Sequence, residues 1–135
     1  MNAKRTFQQG VMLLEALIAI LIFTVGILAL IGMQSRAIAY VADAKYRSDA
    51  AFLADEIISK MWVDRTNLAS YASGTAANAV TWASKVAATL PCKTAGACTP
   101  TIAVAGNQVT VTVIWYPPSA TGSHSYSAIA QITDP

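Results

Sequence analysis

Four positions in this 135-residue chain carry side chains whose type and spacing suggest chemistry: Glu15, the pair Cys92 and Cys98, and His124. Glu15 is a carboxylate set four positions into an apolar run that begins at Val11, where an unpaired charge is costly. A cut after Gly10 would supply a cationic partner, a new α-amine at Val11 close to Glu15 in sequence. The plainer reading is an interfacial Glu that reaches the lipid headgroups. Cys92 and Cys98 are the only cysteines and bracket Lys93-Thr94-Ala95-Gly96-Ala97. They offer neither C-x-x-C redox spacing nor a four-ligand metal set, so a structural disulfide in an oxidising compartment is expected, with two unlinked core thiols as the alternative. A disulfide there would place residues after about 36 outside the cytoplasm. His124 is the sole imidazole and has no acidic residue nearby in sequence, so it reads as a strand or loop side chain rather than a general base.

Catalysis finds no further support. The chain has no Gly-rich phosphate loop, metal-ligand cluster or nucleophile elbow, and neither an enzymatic activity nor a cofactor or metal is expected. Trp62, Trp82 and Trp115 lack an adjoining basic patch, which argues for core packing over nucleic-acid binding. The loop 117–123 is a candidate contact surface because loops tolerate variation.

The elements that must position Glu15 are unusual. The chain is 55% hydrophobic and 12% charged with mean hydropathy +0.48, too apolar for a disordered chain and atypical of a soluble domain. Between Val11 and Gln34 the only charge is Glu15. Three readings compete for this segment: a buried core helix, a cleaved secretory signal, or a membrane-spanning helix. A chain this small cannot surround a helix that is apolar on every face. For signal cleavage stand Lys4 and Arg5 as a basic n-region and Ala37-Ile38-Ala39 as a cleavage site; against it stand the length of the run and the helical sequence that continues through the site. A span of ~20 helical residues covers ~30 Å of hydrocarbon, which the segment satisfies.

Past the apolar run the pattern becomes amphipathic, with Ala37, Val41, Ala44, Ala51, Ala54, Ile58 and Met61 at three- and four-residue steps. Neither Pro nor Gly interrupts residues 33–73, so one helix is expected from Val11 to about Arg65, ~80 Å at ~1.5 Å per residue. The remainder predicts a helix over Ala76–Leu90, capped by Asn78 or Thr81, stopped by Pro91 and patterned by Val80, Ala83, Val86, Ala87 and Leu90. Strands are expected at Thr101–Ala105, Gln108–Tyr116 and His124–Thr133, with a tight turn at Gly106-Asn107. The fold class is therefore α+β, with a three-stranded antiparallel meander packed on the amphipathic half of the long helix through Val109, Val111, Val113 and Trp115.

The run Lys4-Arg5-Thr6-Phe7-Gln8-Gln9-Gly10, followed by Val11-Met12-Leu13-Leu14-Glu15-Ala16-Leu17-Ile18-Ala19-Ile20, resembles a type IV prepilin leader and mature N-terminus. The family pattern is a short basic leader ending in Gly, a cut immediately after it, and Glu at the fifth mature residue. The first mature residue is most often Phe in that family and is Val11 here. Leu13-Leu14-Glu15-Ala16-Leu17-Ile18-Ala19 with Ile22-Phe23-Thr24-Val25-Gly26 is most similar to the PilV-type minor pilins, a resemblance that covers residues 4–40. It implies a pilin-like fold with a leader at 1–10, a transmembrane and filament-core helix at 11–35, its amphipathic continuation at 36–66, and an α+β head at 67–135. It further implies cleavage between Gly10 and Val11 by prepilin peptidase, N-methylation of Val11, and pairing of Glu15 with a neighbouring N-terminal amine. The implied partners are the major pilin, other minor pilins and a tip adhesin. The implied location is the bacterial inner membrane, crossed once with the head in the periplasm, and then the pilus, where adhesion and twitching motility are served. A minor pseudopilin of a type II secretion system shares these N-terminal features, and a soluble periplasmic domain released by signal peptidase is the third reading. Removing Lys4 and Arg5 from the nine basic side chains leaves seven against seven acidic ones, a formally neutral mature chain.

Overall fold

The computed structural model describes residues 6–74, 76–94, 96–118 and 120–133, with side chains described from Gly10 onward; Lys4 and Arg5 of the expected leader lie outside the described residues. The first element, α1, is an α-helix over Thr6–Val63. Its apolar part contains no proline, so every interior N–H can join the i→i−4 ladder. The helix stops at Val63 rather than running on to Arg65. Asp64 leaves helical geometry (φ −111°, ψ 46°), and a 3₁₀ segment over Arg65–Tyr71 follows, itself broken at Asn67. The Asp64 carboxylate accepts hydrogen bonds from Asn67 Nδ2 at 2.8 Å and from the Tyr71 hydroxyl at 3.2 Å, local bonds of the kind that compete with helix continuation.

By contacts the chain divides into two units, one ending at Tyr40 and the second starting at Val41. In the first unit the large apolar residues from Val11 to Met33 are all exposed. In the second, α1 becomes one-sided. Ala50, Leu53, Ala54, Ile57 and Met61 are buried at i, i+3, i+4, i+7 and i+11. This face is rotated from the stripe expected from the sequence. Ala54 and Met61 belong to it, Ala51 and Ile58 are half-buried, and Ala37, Val41 and Ala44 are exposed. The rotation buries Leu53 and Ile57, whose larger apolar surfaces outweigh alanines.

A second helix, α2, spans Ala77–Thr89 and ends before Pro91. Its N-cap residue is Ala76 and makes no side-chain cap, so neither Asn78 nor Thr81 caps it; Thr81 Oγ1 instead donates to the Ala77 carbonyl at 2.9 Å. The inward face is Ala79, Trp82 and Val86, with Leu90 buried just beyond, whereas Val80 and Ala87 are exposed and Ala83 is half-buried. Trp82 sets this orientation because its indole Nε1 donates to the Leu53 carbonyl at 2.9 Å, joining α2 to α1 inside the core.

Three strands, β1 (Thr101–Ala105), β2 (Gln108–Trp115) and β3 (His124–Gln131), form an antiparallel sheet in the order β1-β2-β3, the expected meander. The strands end one and two residues earlier than the alternation implies. Gly106 at φ 61°, followed by Asn107 at negative φ, closes the β1–β2 hairpin with the left-handed first position of a type II′ turn. Val109, Val111, Val113 and Trp115 are 0% exposed and share one core with the buried residues of α1 and α2. This predicts that Leu53→Ala lowers unfolding free energy by ~2–5 kcal/mol, whereas Phe52→Ala, at a neighbouring exposed position, changes it by less than about 0.5 kcal/mol. Denaturant unfolding of the detergent-solubilised chain, followed by tryptophan fluorescence, measures both.

Candidate functional site

The N-terminal part of α1 is built from apolar residues that are exposed. Helical spacing places Val11 and Glu15 one turn apart on the same face. Val11 is 64% exposed, and Glu15 is exposed and makes no ion pair among the described residues. An 18-residue window within Gly10–Val63 reaches a mean hydropathy of 2.8 with none of it buried, so the helix is long and apolar enough to cross a membrane. Its one hydroxyl in the middle of the run is satisfied internally, since Thr24 Oγ1 donates to the Leu21 carbonyl at 2.8 Å. Gly10 lies inside the helix, and a Cβ built there meets nothing within 4 Å. Packing therefore does not require glycine at position 10, where alanine would favour the helix by up to ~1 kcal/mol.

Among the described residues no set of three or more His, Cys, Asp or Glu side chains is placed to hold a metal. Cys92 and Cys98 are joined in a disulfide with Cα atoms 6.0 Å apart. It closes the loop between α2 and β1, and the Lys93 ammonium stands 5.2 Å from the Tyr116 ring centroid. A groove of about 680 Å³ between α2 and this loop is lined mainly by apolar groups and brings no titratable pair together.

Two electrostatic links join elements far apart in sequence. His124 Nδ1 lies 2.7 Å from Asp43 Oδ1, while the His124 ring packs edge-on to Trp115 with centroids 5.9 Å apart. His124 is thus a strand residue, as expected, and it fastens the start of β3 to α1. The separation of 81 residues hid this pair from sequence reasoning. Trp62 is 43% exposed, whereas Trp82 and Trp115 belong to the core; the Trp115 indole Nε1 is buried without a hydrogen-bond partner among the described residues.

Glu56 accepts from Lys85 Nζ at 2.5 Å and from Lys60 Nζ at 3.0 Å, so it bridges α1 to α2. The Lys60 contact follows from i,i+4 spacing and is readable from sequence; the Lys85 contact, 29 residues away, is not. Hydrogen bonds from Lys85 and then Lys60 hold the Glu56 carboxyl below its ordinary range. Burial, followed by the charge of Asp64, raises Tyr71 above the usual phenol range.

A helix that is apolar on every side, continuous with a one-sided segment that packs in a small α+β unit, defines the class of pilin-like subunits. The profile described as type IV pilin Tt1218 matches residues 32–105, more than half of the chain, and the chain belongs to this Tt1218-like family. The matched region runs from the end of the apolar segment through β1 and overlaps the N-terminal resemblance only over residues 32–40. No curated protein and no solved structure matches the chain. A type IV pilin is a structural subunit rather than an enzyme, and an exposed apolar helix is compatible with membrane anchoring and with packing in a pilus.

Because Glu56 is held low in the native state, its links add stability above the unfolded carboxyl pKa of ~4.3, and that contribution is lost as pH falls through the lower native value. The contacts are partly exposed, so the contribution is ~1 kcal/mol or less. Comparing unfolding of the wild-type chain and Glu56→Gln between pH 7 and pH 3 should show a difference at neutral pH that shrinks toward pH 3. An equal difference at both ends would mean that the carboxylate charge contributes nothing.

Proposed function

We propose that this chain is a minor pilin of the PilV type, made as a prepilin and assembled into or near the tip of a type IV pilus. The observation that carries the reading is Glu15: an exposed carboxylate one helical turn after Val11, on a helix that is otherwise apolar on every side. Cleavage between Gly10 and Val11 by prepilin peptidase, with N-methylation of Val11, frees an amine at the residue nearest Glu15 on its own helix face. In a filament core Glu15 pairs with the N-terminal amine of an adjacent subunit. At ~4 Å and an effective dielectric of ~20 this attraction is ~4 kcal/mol before desolvation is subtracted, so its role is register as much as strength.

In this reading residues 1–10 are the leader, 11–35 form the transmembrane and filament-core helix, 36–66 its amphipathic continuation, and 67–135 the head. Before assembly the subunit crosses the inner membrane once with its head in the periplasm, where the Cys92–Cys98 disulfide is kept oxidised. Its partners are the peptidase, the major pilin, other minor pilins and a tip adhesin. Its contribution to adhesion and twitching is to help initiate the filament. The open space around Gly10 supports a peptidase requirement for this glycine, because packing imposes none.

A deletion strain complemented in turn with wild type, Gly10→Val and Glu15→Ala tests the reading. Wild type restores surface pili and twitching; Gly10→Val accumulates as uncleaved membrane precursor; Glu15→Ala is inserted and cleaved yet scarcely enters sheared pili. Normal incorporation of Glu15→Ala removes the pairing role. Loss of protein secretion with pili intact in the deletion strain favours a type II secretion pseudopilin instead.

A further inference from the structure

The sheet has two edges, and they are treated differently. At the β1 edge, which is only five residues long, Ser73 closes one of the two outward-facing positions, Ile102: its N–H donates to the Ile102 carbonyl at 3.0 Å and its Oγ accepts from the Ile102 N–H at 2.5 Å. β3 is eight residues long and pairs with β2 in unbroken one-to-one register from Gln108↔Gln131 to Trp115↔His124, without a bulge.

Antiparallel alternation fixes which backbone groups of β3 point away from β2. The Ile132 N–H donates to the Asn107 carbonyl at 2.8 Å, one step beyond the ladder, so Ala130, Ala128, Tyr126 and His124 bond inward to β2. The N–H and C=O groups of Ser125, Ser127, Ile129 and Gln131 then face outward. No backbone bond of the described residues reaches them.

Edge strands are ordinarily blunted by Lys, by Pro, by a bulge or by a covering element. β3 contains no Pro, Lys, Arg, Asp or Glu, its ladder to β2 has no bulge, and among the described residues no strand pairs with its outer edge. Its two side-chain rows are also unfinished. The inner row of Tyr126, Ala128 and Ala130 is only half-buried beside the fully buried Val109, Val111 and Val113 of β2, and on the outer row Ile129 is 68% exposed between Ser127 and Gln131.

We propose that the outer edge of β3 is a docking edge for strand addition, taking an extended, uncharged segment of a different polypeptide whose side chains alternate between apolar and small polar. Such a strand pairs the outward N–H and C=O groups of Ser125, Ser127, Ile129 and Gln131. Its apolar row continues the core beside Tyr126, Ala128 and Ala130, and its polar row extends the Ser125 and Ser127 face. A charged strand would set its charges beside a row that has none to pair them.

A second copy of β3 satisfies the same alternation, but two-fold pairing through an antiparallel ladder reverses every direction lying in the sheet. The segment of α1 packed in this core, Ala50–Met61, would then run oppositely in the two copies. Subunits anchored side by side in one membrane, as the proposed function has them, keep the same helix direction. The choice of occupant rests on that reading; the open edge itself does not.

The test uses the full chain in detergent micelles and residue-resolved amide hydrogen exchange. The probe is a blocked peptide with the sequence of Gln108–Trp115, a strand that β3 already accepts on its other side; a reordered peptide that breaks the alternation serves as control. The peptide should slow exchange at Ser125, Ser127, Ile129 and Gln131 by at least about tenfold, and the reordered peptide should not. Ile129→Pro removes one outward N–H without cutting a β2–β3 bond, and should abolish the protection while leaving the exchange of Val109, Val111 and Val113 unchanged. Outward amides already protected without peptide, or peptide protection that survives Ile129→Pro, would overturn the open edge. A dimer by light scattering that dissociates in Ile129→Pro would overturn the occupant by showing that a second copy takes it. None of these outcomes depends on whether Glu15→Ala enters pili.

Discussion

Between Val11 and Met33, α1 presents sixteen large apolar side chains to its surroundings, each at least 40% exposed. Each such group forgoes ~1.5–3 kcal/mol when left in water instead of buried. Summed over the segment, the deficit is on the order of tens of kcal/mol, well above the ~5–15 kcal/mol that holds a typical domain together. A helix with this surface is compatible with cover by lipid and by the matching helices of other pilin subunits. A single carboxylate in such a surface has to be paired or placed at an interface. In the proposed function Glu15, one turn from Val11, meets both demands in succession.

The rest of the molecule gives that helix a head. From Ala50 onward the same helix buries one stripe, and Leu53 contributes twice, with a side chain in the core and a carbonyl that accepts from Trp82. Glu56 with Lys60 and Lys85, and Asp43 with His124, secure α2 and β3 to the helix at two further positions. The disulfide closes the loop between α2 and β1. The head is thus assembled on α1 residue by residue.

The sequence revealed elements more readily than faces. Apolar composition marked the N-terminal helix, and period-two alternation with a Gly-Asn turn marked the meander, because both signals are local. Which side of α1 is buried was not local: alanines at regular spacing described one stripe, while Leu53 and Ile57, in one core with Trp82 and the β2 valines, selected another. The end of α1 turned on bonds from Asn67 and Tyr71 back to Asp64, which propensity and proline counting do not register. At the N-terminus Gly10, Val11 and Glu15 form a pattern of spacing, and the helix sets Val11 and Glu15 one turn apart, whereas the Asp43 partner of His124 and the Lys85 partner of Glu56 required three dimensions.

The central claim is that the apolar helix begins a mature subunit at Val11 and is retained in it. Intact-mass and N-terminal fragment analysis of the chain recovered from cell membranes and from sheared pili measures this directly. The account predicts a single mature form starting at Val11 and carrying one added methyl group on its α-amine, with the Cys92–Cys98 disulfide intact. A mature form starting at Tyr40 would contradict it, because the helix would then have been discarded as a signal peptide.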